Sequence, residues 1–158
     1  MNLKRIYPEH TSRQVQFISE DYRHWNKTFR TMLNLKPSEI HYSQNCISRL
    51  FRGSGKPIGE TLDELYTGKI TVDHIPPITV TYDMFHENCY SLDNRRLWVF
   101  HYLQGAGKCS TIPVYIDLSI SIEDSPKFTT KNGGVSVSVN GDPGGVFWKS
   151  ITPATPTI

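Results

Sequence analysis

The chain has 158 residues, 17 Lys+Arg against 15 Asp+Glu, and a net charge of +2, with 37% hydrophobic and 11% aromatic residues. That length suits one domain with a real core, and it needs no disulfide or metal to fold. No apolar run approaches the roughly 20 residues of a membrane span, so a transmembrane protein, a coiled coil, a collagen and a disulfide-rich secreted module are all excluded as expectations.

The start, Met1 to Pro8, is charged but has no apolar stretch behind it, so no secretory signal is expected. Cys46, Cys89 and Cys109 are odd in number and lack a Cys-x-x-Cys pair. They read as ordinary buried thiols of a reducing compartment, and the expected location is cytoplasmic. The six histidines show no metal-ligand spacing, so no zinc site and no metal ligand are assigned. A pI near 8.4 allows nucleic-acid contact without requiring it.

In chain order, the first expected element is a helix from Ser19 to Leu35, with Tyr22, Trp25, Phe29 and Met32/Leu33 along one face. Ser19 suits its N-cap and Pro37 its end. Arg23, Lys27 and Arg30 fall on another face. They are either a solvated surface or a basic stripe for a phosphate backbone. A short strand follows at Ile40–Ser43, then Ser48–Phe51, a break at Gly53–Pro57, and a short helix over Thr61–Tyr66 ended by Gly68. Ile78–Tyr82 alternates as a strand and pairs with Cys89–Leu92 as a hairpin. The helix Asn94–Gln104 and the strand Thr111–Leu118 complete an α+β arrangement, a small mixed sheet with packed helices. Beyond it, Lys127–Thr130 and Val135–Val139 flank Asn132-Gly133, which predicts a C-terminal β-hairpin. Phe147-Trp148 should tuck back onto the body, and Thr152–Thr157 reads as disordered.

Tyr90-Ser91-Leu92-Asp93-Asn94-Arg95-Arg96-Leu97 carries the most chemistry. Asp93 suits an N-cap, which puts Asn94, Arg95 and Arg96 in the first helical turn. Two arginines there oppose the helix dipole, forgoing about 0.3–1 kcal/mol each. The arrangement makes sense where the turn binds an anion, because free N–H groups and two guanidinium forks converge there. The alternative is that one arginine pairs with Asp93, Glu64 or Asp117 while the other lies in solvent. Gly105-Ala106-Gly107-Lys108-Cys109-Ser110 is not a P-loop: Tyr102 stands where the first glycine belongs, and the segment follows a helix. Asn26-Lys27-Thr28 fits a glycosylation sequon, but in the middle of the expected first helix.

The run Ile75-Pro76-Pro77-Ile78-Thr79-Val80, the segment Cys89–Leu97 and the closing Thr111-Ile112-Pro113-Val114 together resemble the ParB/sulfiredoxin superfamily. The form Leu-Asp-Asn-Arg-Arg-Leu is similar to ParB-like domains of polymorphic toxins and stand-alone proteins. The likeness covers roughly residues 40–118. It implies a ParB/sulfiredoxin-like core over 40–120, with an N-terminal helical extension over 1–39 and a C-terminal hairpin and flexible tail over 121–158. It also implies a nucleotide or phosphate site at Arg95 and Arg96. Members bind or hydrolyse nucleoside triphosphates, transfer phosphoryl groups or act as nucleases.

Asp93 replaces the usual turn glycine, and Asn94 stands where sulfiredoxin has its cysteine, so sulfinic-acid reduction is not implied. The Glu-Asn-x-x-Arg segment and the helix-turn-helix of partition proteins are missing, so centromere binding is not implied either.

The expected function is therefore a phosphate- or nucleotide-binding domain that hydrolyses a phosphodiester or phosphoanhydride bond, as a nuclease- or nucleotidase-like toxin or effector would. In that scheme Arg95 and Arg96 stabilise charge on the phosphoryl oxygens. Asp93 orients a water or holds a divalent metal such as magnesium, with Glu64, Asp63 or Asp83 needed as a further ligand. Asn94, Ser43, Gln44 and Arg49 are candidates for the binding wall. His41 and His101 are candidates for acid or base catalysis, against the simpler reading of packed histidines. The expected partners are a phosphorylated ligand and, through the toxin likeness, an immunity or regulatory protein, with no membrane. The alternatives are a non-catalytic nucleotide- or nucleic-acid-binding module, and a protein-interaction domain working through the hairpin edge and aromatic residues.

Overall fold

The computed structural model describes residues 31–83 and 85–157. Within them the fold is α+β. The strands are β1 (Thr31–Leu35), β2 (Ile40–Tyr42), β3 (Cys46–Ser48), β4 (Ile78–Asp83), β5 (Asn88–Ser91), β6 (Ile112–Ile116) and β7 (Ser138–Asn140). The helices are α1 (Ile58–Tyr66) and α2 (Asn94–Gly105). A five-stranded sheet runs in the order β1-β6-β4-β5-β2, and β3 and β7 form a separate pair. The sheet is mixed: β1–β6 and β4–β5 are antiparallel, while β4–β6 and β2–β5 are parallel.

The register explains the core. In β6, Ile112, Val114 and Ile116 are buried while Pro113 and Tyr115 are half-buried, the alternation of a sheet with one covered face. Val114 lies opposite Ile78, and Ile116 opposite Val80. These side chains join Leu62 and Leu65 of α1 and Leu97, Phe100 and Leu103 of α2 in one hydrophobic cluster. α1 starts after Pro57, whose fixed φ suits the turn into a helix, and α2 closes at Ala106–Gly107. Among the described residues no helix is long and apolar enough to cross a membrane.

Three expectations fail. Thr31–Leu35 is a strand, not the end of a helix: Met32 and Asn34 are exposed while Leu33 and Leu35 turn inward. The apolar pair Met32/Leu33 fits a 3.6-residue period only until β6 offers a ladder from Thr31↔Ile116 to Leu35↔Ile112. The rest of the expected first helix, with its basic stripe, lies outside the described residues.

The C-terminal hairpin also fails. Asn132 does make a turn, its Oδ1 accepting from the Gly134 N–H at 3.1 Å, but the two arms pair elsewhere. Thr129 and Thr130 N–H both donate to the Ser43 carbonyl, and Tyr42 N–H donates to the Gly134 carbonyl at 2.8 Å. Ser138–Asn140 then pairs in parallel with β3. The segment satisfies the open edge of β2 instead of its own second arm.

The tail is ordered by the same means. Phe147 stacks on Tyr66, and Trp148 donates to the Gly144 carbonyl and packs toward Trp98, as expected. Ala154 N–H donates to the His101 carbonyl at 2.9 Å, and Pro156 is buried. Two glycines make room for this strap. A Cβ on Gly59 would overlap the Gly144 carbonyl, and a Cβ on Gly105 would overlap that of Thr152.

Candidate functional site

The site forms where β5 runs into α2. Leu92 N–H donates to the Thr79 carbonyl at 2.9 Å, which holds the strand end beside β4. Asp93 N–H then donates to Ser91 Oγ, and α2 begins at Asn94. Asp93 occupies the N-cap position, yet its side chain does not cap the helix. Its Oδ2 instead accepts the Thr79 N–H at 2.7 Å, and its Oδ1 faces Arg96 Nη1 at 3.4 Å. The first turn carries Arg95 and Arg96 and no acid. Among the described residues, the positive end of this 12-residue helix is therefore left without a side-chain cap.

A buried network fixes that turn. Asn94 Oδ1 accepts from Ser43 N–H at 2.9 Å, and its Nδ2 donates to Ser43 Oγ and to Gln44 Oε1. Ser43 Oγ donates in turn to the Ser91 carbonyl at 2.6 Å. Ser43 is fully buried and Asn94 nearly so. Ser43 thus stands behind the site rather than in the binding wall, and the Asn94 amide is spent on holding β2's exit against α2. Gln44 does line the site. With its carbonyl oxygen bound to Asn94, its NH₂ donors are the part left for a ligand.

A cleft of about 300 Å³ opens in front of the turn, lined by Gln44, Phe51, Arg52, Leu92, Asp93, Asn94, Arg95, Arg96 and Lys127. It brings four cationic side chains together with one carboxylate. Arg96 divides itself between Asp93 and the Pro77 carbonyl at 3.3 Å. Arg52, Arg95 and Lys127 have no acidic partner among the described residues.

Arg49 is not in the cleft. Its side chain runs beside Gly141, just past β7, and Arg52 takes the place that the sequence reading gave it. Arg52 sits in the turn closed by the Phe51 N–H to Lys56 carbonyl bond and the Gly55 N–H to Phe51 carbonyl bond. The Gly53-Ser54-Gly55 break already marked that turn. Lys127 is brought to the cleft by long-range contacts of the residues after it, the Thr129 and Thr130 N–H bonds to the Ser43 carbonyl and the edge-on Phe128–Tyr90 contact, and no local pattern announces it.

The two candidate histidines lie elsewhere. His101 is fully buried, its Nε2–H shared between the Pro37 carbonyl at 2.9 Å and the Ile40 carbonyl at 3.2 Å. Burial pushes its pKa down to about 4, against the partial opposition of those carbonyls. His41 donates from Nδ1 to the Gly133 carbonyl at 2.7 Å, and burial lowers its pKa too. His41 borders a different cavity, of about 360 Å³, with Lys36, Tyr82, Asn88 and the tail residues Thr155–Thr157. Both histidines are packing residues, as the simpler reading held.

The carboxylates that a metal at Asp93 would need are engaged elsewhere. Glu64 pairs with Lys56 and Lys69, and those two cations hold its carboxyl below the usual carboxylate range. Asp63 accepts the N–H groups of Val146 and Phe147. Asp83 accepts those of Phe85 and His86, and its carboxyl also meets the His86 ring. Asp83, His86 and Glu123 bring one ligand atom each to within 4.8 Å of one another, at the other end of β4 from Thr79. No histidine spacing in the sequence pointed to that group.

The three cysteines are free. Cys89 is buried, with its thiol pKa pushed up to about 12. Cys109 is raised to about 11, and Cys46 is exposed, against the expectation of three buried thiols. No family model matches the chain, and none of the curated proteins matches it.

Proposed function

We propose that this protein binds the phosphate of a nucleotide or nucleic acid in the cleft at the start of α2, as a ParB/sulfiredoxin-like domain would. One observation carries the reading: an uncapped helix N-terminus bearing Arg95 and Arg96 opens on a cleft with two further cations and one engaged carboxylate. Folding alone gains nothing from four like charges around one space. At about 8 Å in water each pair costs roughly 0.5 kcal/mol. A bound anion offsets those repulsions with an attraction to each cation and accepts hydrogen bonds from the free N–H groups as well.

Hydrolysis of a phosphodiester or phosphoanhydride bond, in a nuclease- or nucleotidase-like effector with an immunity or regulatory partner, is the second reading. The positions of Arg95 and Arg96 favour it, since both would meet charge developing on phosphoryl oxygens. Asp93 does not fit a magnesium ligand as it stands. One oxygen is bound to a backbone N–H and the other faces a guanidinium, and no second carboxylate lines the cleft among the described residues. Binding is thus the better-supported half of the reading.

The test is a thermal-shift panel of nucleoside mono-, di- and triphosphates and short oligonucleotides on wild type and the double variant Arg95→Ala/Arg96→Ala. A ligand at about 100 times its Kd adds about 2.7 kcal/mol to stability. The expected result is a shift in wild type that the double variant loses, and no shift with any of these ligands would sink the reading. Product analysis on the ligands that bind then decides hydrolysis.

A further inference from the structure

The cleft lies at the Thr79 end of β4, and the opposite end of the same strand gathers a different set of side chains. Asp83 is the last residue of β4, and His86 stands in the turn that follows. Each brings one ligand atom into a group with Glu123, all within 4.8 Å of one another. Along the strand, Asp83 is about 13 Å from Thr79. The group therefore stands apart from the cleft and owes nothing to the phosphate reading.

The residues come from two segments, and each segment is held by its own bonds. Asp83 is buried, and its Oδ1 accepts the N–H groups of Phe85 at 2.8 Å and His86 at 3.3 Å. Its Oδ2 is turned to the His86 ring, with Nδ1 at 2.5 Å. Glu123 arrives from the chain after β6, which runs beside β4. There the Asp117 N–H donates to the Val80 carbonyl at 2.9 Å, and the Thr81 hydroxyl donates to the Ile120 carbonyl at 2.6 Å. Ile122, next to Glu123, is buried. His86 and Glu123 are themselves exposed, so their side chains can turn toward an ion that the fixed Asp83 holds.

The donor set is two carboxylates and one imidazole. Among the described residues no lysine or arginine pairs with Asp83 or Glu123. Two negative charges thus converge, one of them buried, with only a histidine beside them. Ligand atoms about 2.1 Å from a tetrahedral ion stand about 3.4 Å from one another. Small rotations of two exposed side chains reach that spacing from the present one. The imidazole nitrogen sets the group apart from the all-oxygen sites of calcium and magnesium, and suits a first-row transition metal.

We propose that Asp83, His86 and Glu123 bind a divalent transition metal, zinc by the ligand set, which clasps the β4–β5 turn to the segment after β6. The ion compensates both carboxylates at once. Three protein ligands leave one tetrahedral position for a water.

The experiment titrates Zn²⁺, Mg²⁺ and Ca²⁺ by calorimetry into the full chain after treatment with chelator. Cys46 is an exposed thiol that could take up zinc by itself, so every protein compared carries Cys46→Ser. That parent is set beside His86→Ala and Glu123→Gln, whose exposed positions leave the fold intact, as far-UV circular dichroism checks. The parent should bind a single Zn²⁺, about tenfold or more tighter than Mg²⁺ or Ca²⁺. Each variant should weaken Zn²⁺ by about tenfold or more, since loss of a supporting group alone costs that much. The rise in Tm that Zn²⁺ gives the parent should disappear with the affinity.

Absence of Zn²⁺ binding by the parent would overturn the proposal and leave Asp83 and His86 as a hydrogen-bonded turn. Binding untouched by both variants would overturn it too, by placing the ion elsewhere. Mg²⁺ or Ca²⁺ bound as tightly as Zn²⁺ would refute the transition-metal assignment.

Discussion

His101 makes the stability of this protein depend on pH from about 6.5 downward, starting above the range where ordinary carboxylates titrate. Its Nε2–H is committed to two carbonyls, and its Nδ1 is buried with no partner among the described residues. A proton added at Nδ1 would therefore carry a charge into the core with nothing to accept it. Above pH 6.5 the ring is neutral in both folded and unfolded chains, and the stability is fully present. As the pH falls below 6.5 the unfolded chain takes up the proton, while the folded one resists until about pH 4. The gap between about 4 and 6.5 corresponds to roughly 3 kcal/mol once the pH is below both values, and about 2 kcal/mol is already gone at pH 5. For a chain of this size that loss lowers Tm by about 5 °C.

Urea unfolding at pH 7, 6, 5.5 and 5 measures it. His101→Gln is the control, because a glutamine NH₂ can still donate toward Pro37 and Ile40 but does not titrate. The slope should largely vanish in that variant, leaving the smaller share of His41, whose pKa burial also lowers. A flat profile from pH 7 to 5, or an equal slope in His101→Gln, would refute the reasoning.

Three further outcomes follow from the same geometry. Asp93→Asn keeps an acceptor for the Thr79 N–H but removes the charge facing Arg96. Anion affinity should hold or rise a fewfold at low salt, and a large loss of binding would show that the carboxylate itself serves the ligand. Gly105→Ala places a Cβ against the Thr152 carbonyl and the Ala154 N–H, so the strap must move off α2. It should cost about 1–3 kcal/mol in urea unfolding, and an unchanged midpoint would contradict the packing. Ile112→Ala, fully buried in β6, should cost about 2–5 kcal/mol, measured the same way.

The elements that were legible are those whose evidence is local. The span of α2 followed from Asp93 at one end and the glycines at the other, β4 from its alternation, β5 as its hairpin partner, and β6 as a strand after the helix. The helix turn with Arg95 and Arg96 was legible for the same reason, since two arginines beside an N-cap stand out without any partner in view. What failed depended on distant partners. Thr31–Leu35 reads as helix or strand until β6 is beside it. The residues around Asn132-Gly133 hold the strongest short-range hairpin cue in the chain, but the exposed edge of β2 takes them instead. In the site, Arg49 and Ser43 fit the expected wall in sequence, yet one is drawn toward Gly141 and the other is buried behind Asn94. Lys127 enters from about twenty residues past the end of α2, in a segment held by the Thr129 and Thr130 N–H bonds to Ser43 and the Phe128–Tyr90 ring contact.

The glycine notches of α1 and α2 bear on how the protein is made. Gly59, Gly105 and the edge of β2 all receive their partners from residues 134–152, which follow every strand of the main sheet and both helices in the chain. During synthesis the sheet residues emerge first, while the strap that seals them is still being translated. The growing chain must hold an unpaired strand edge and two bare helix grooves in water until residues 134–152 arrive. Pairings such as Cys46↔Ser138 also close loops of about ninety residues, which slows the final step. A nascent chain stalled before Gly134 should therefore be sensitive to protease and bind chaperones, and acquire resistance once residues 134–152 have emerged.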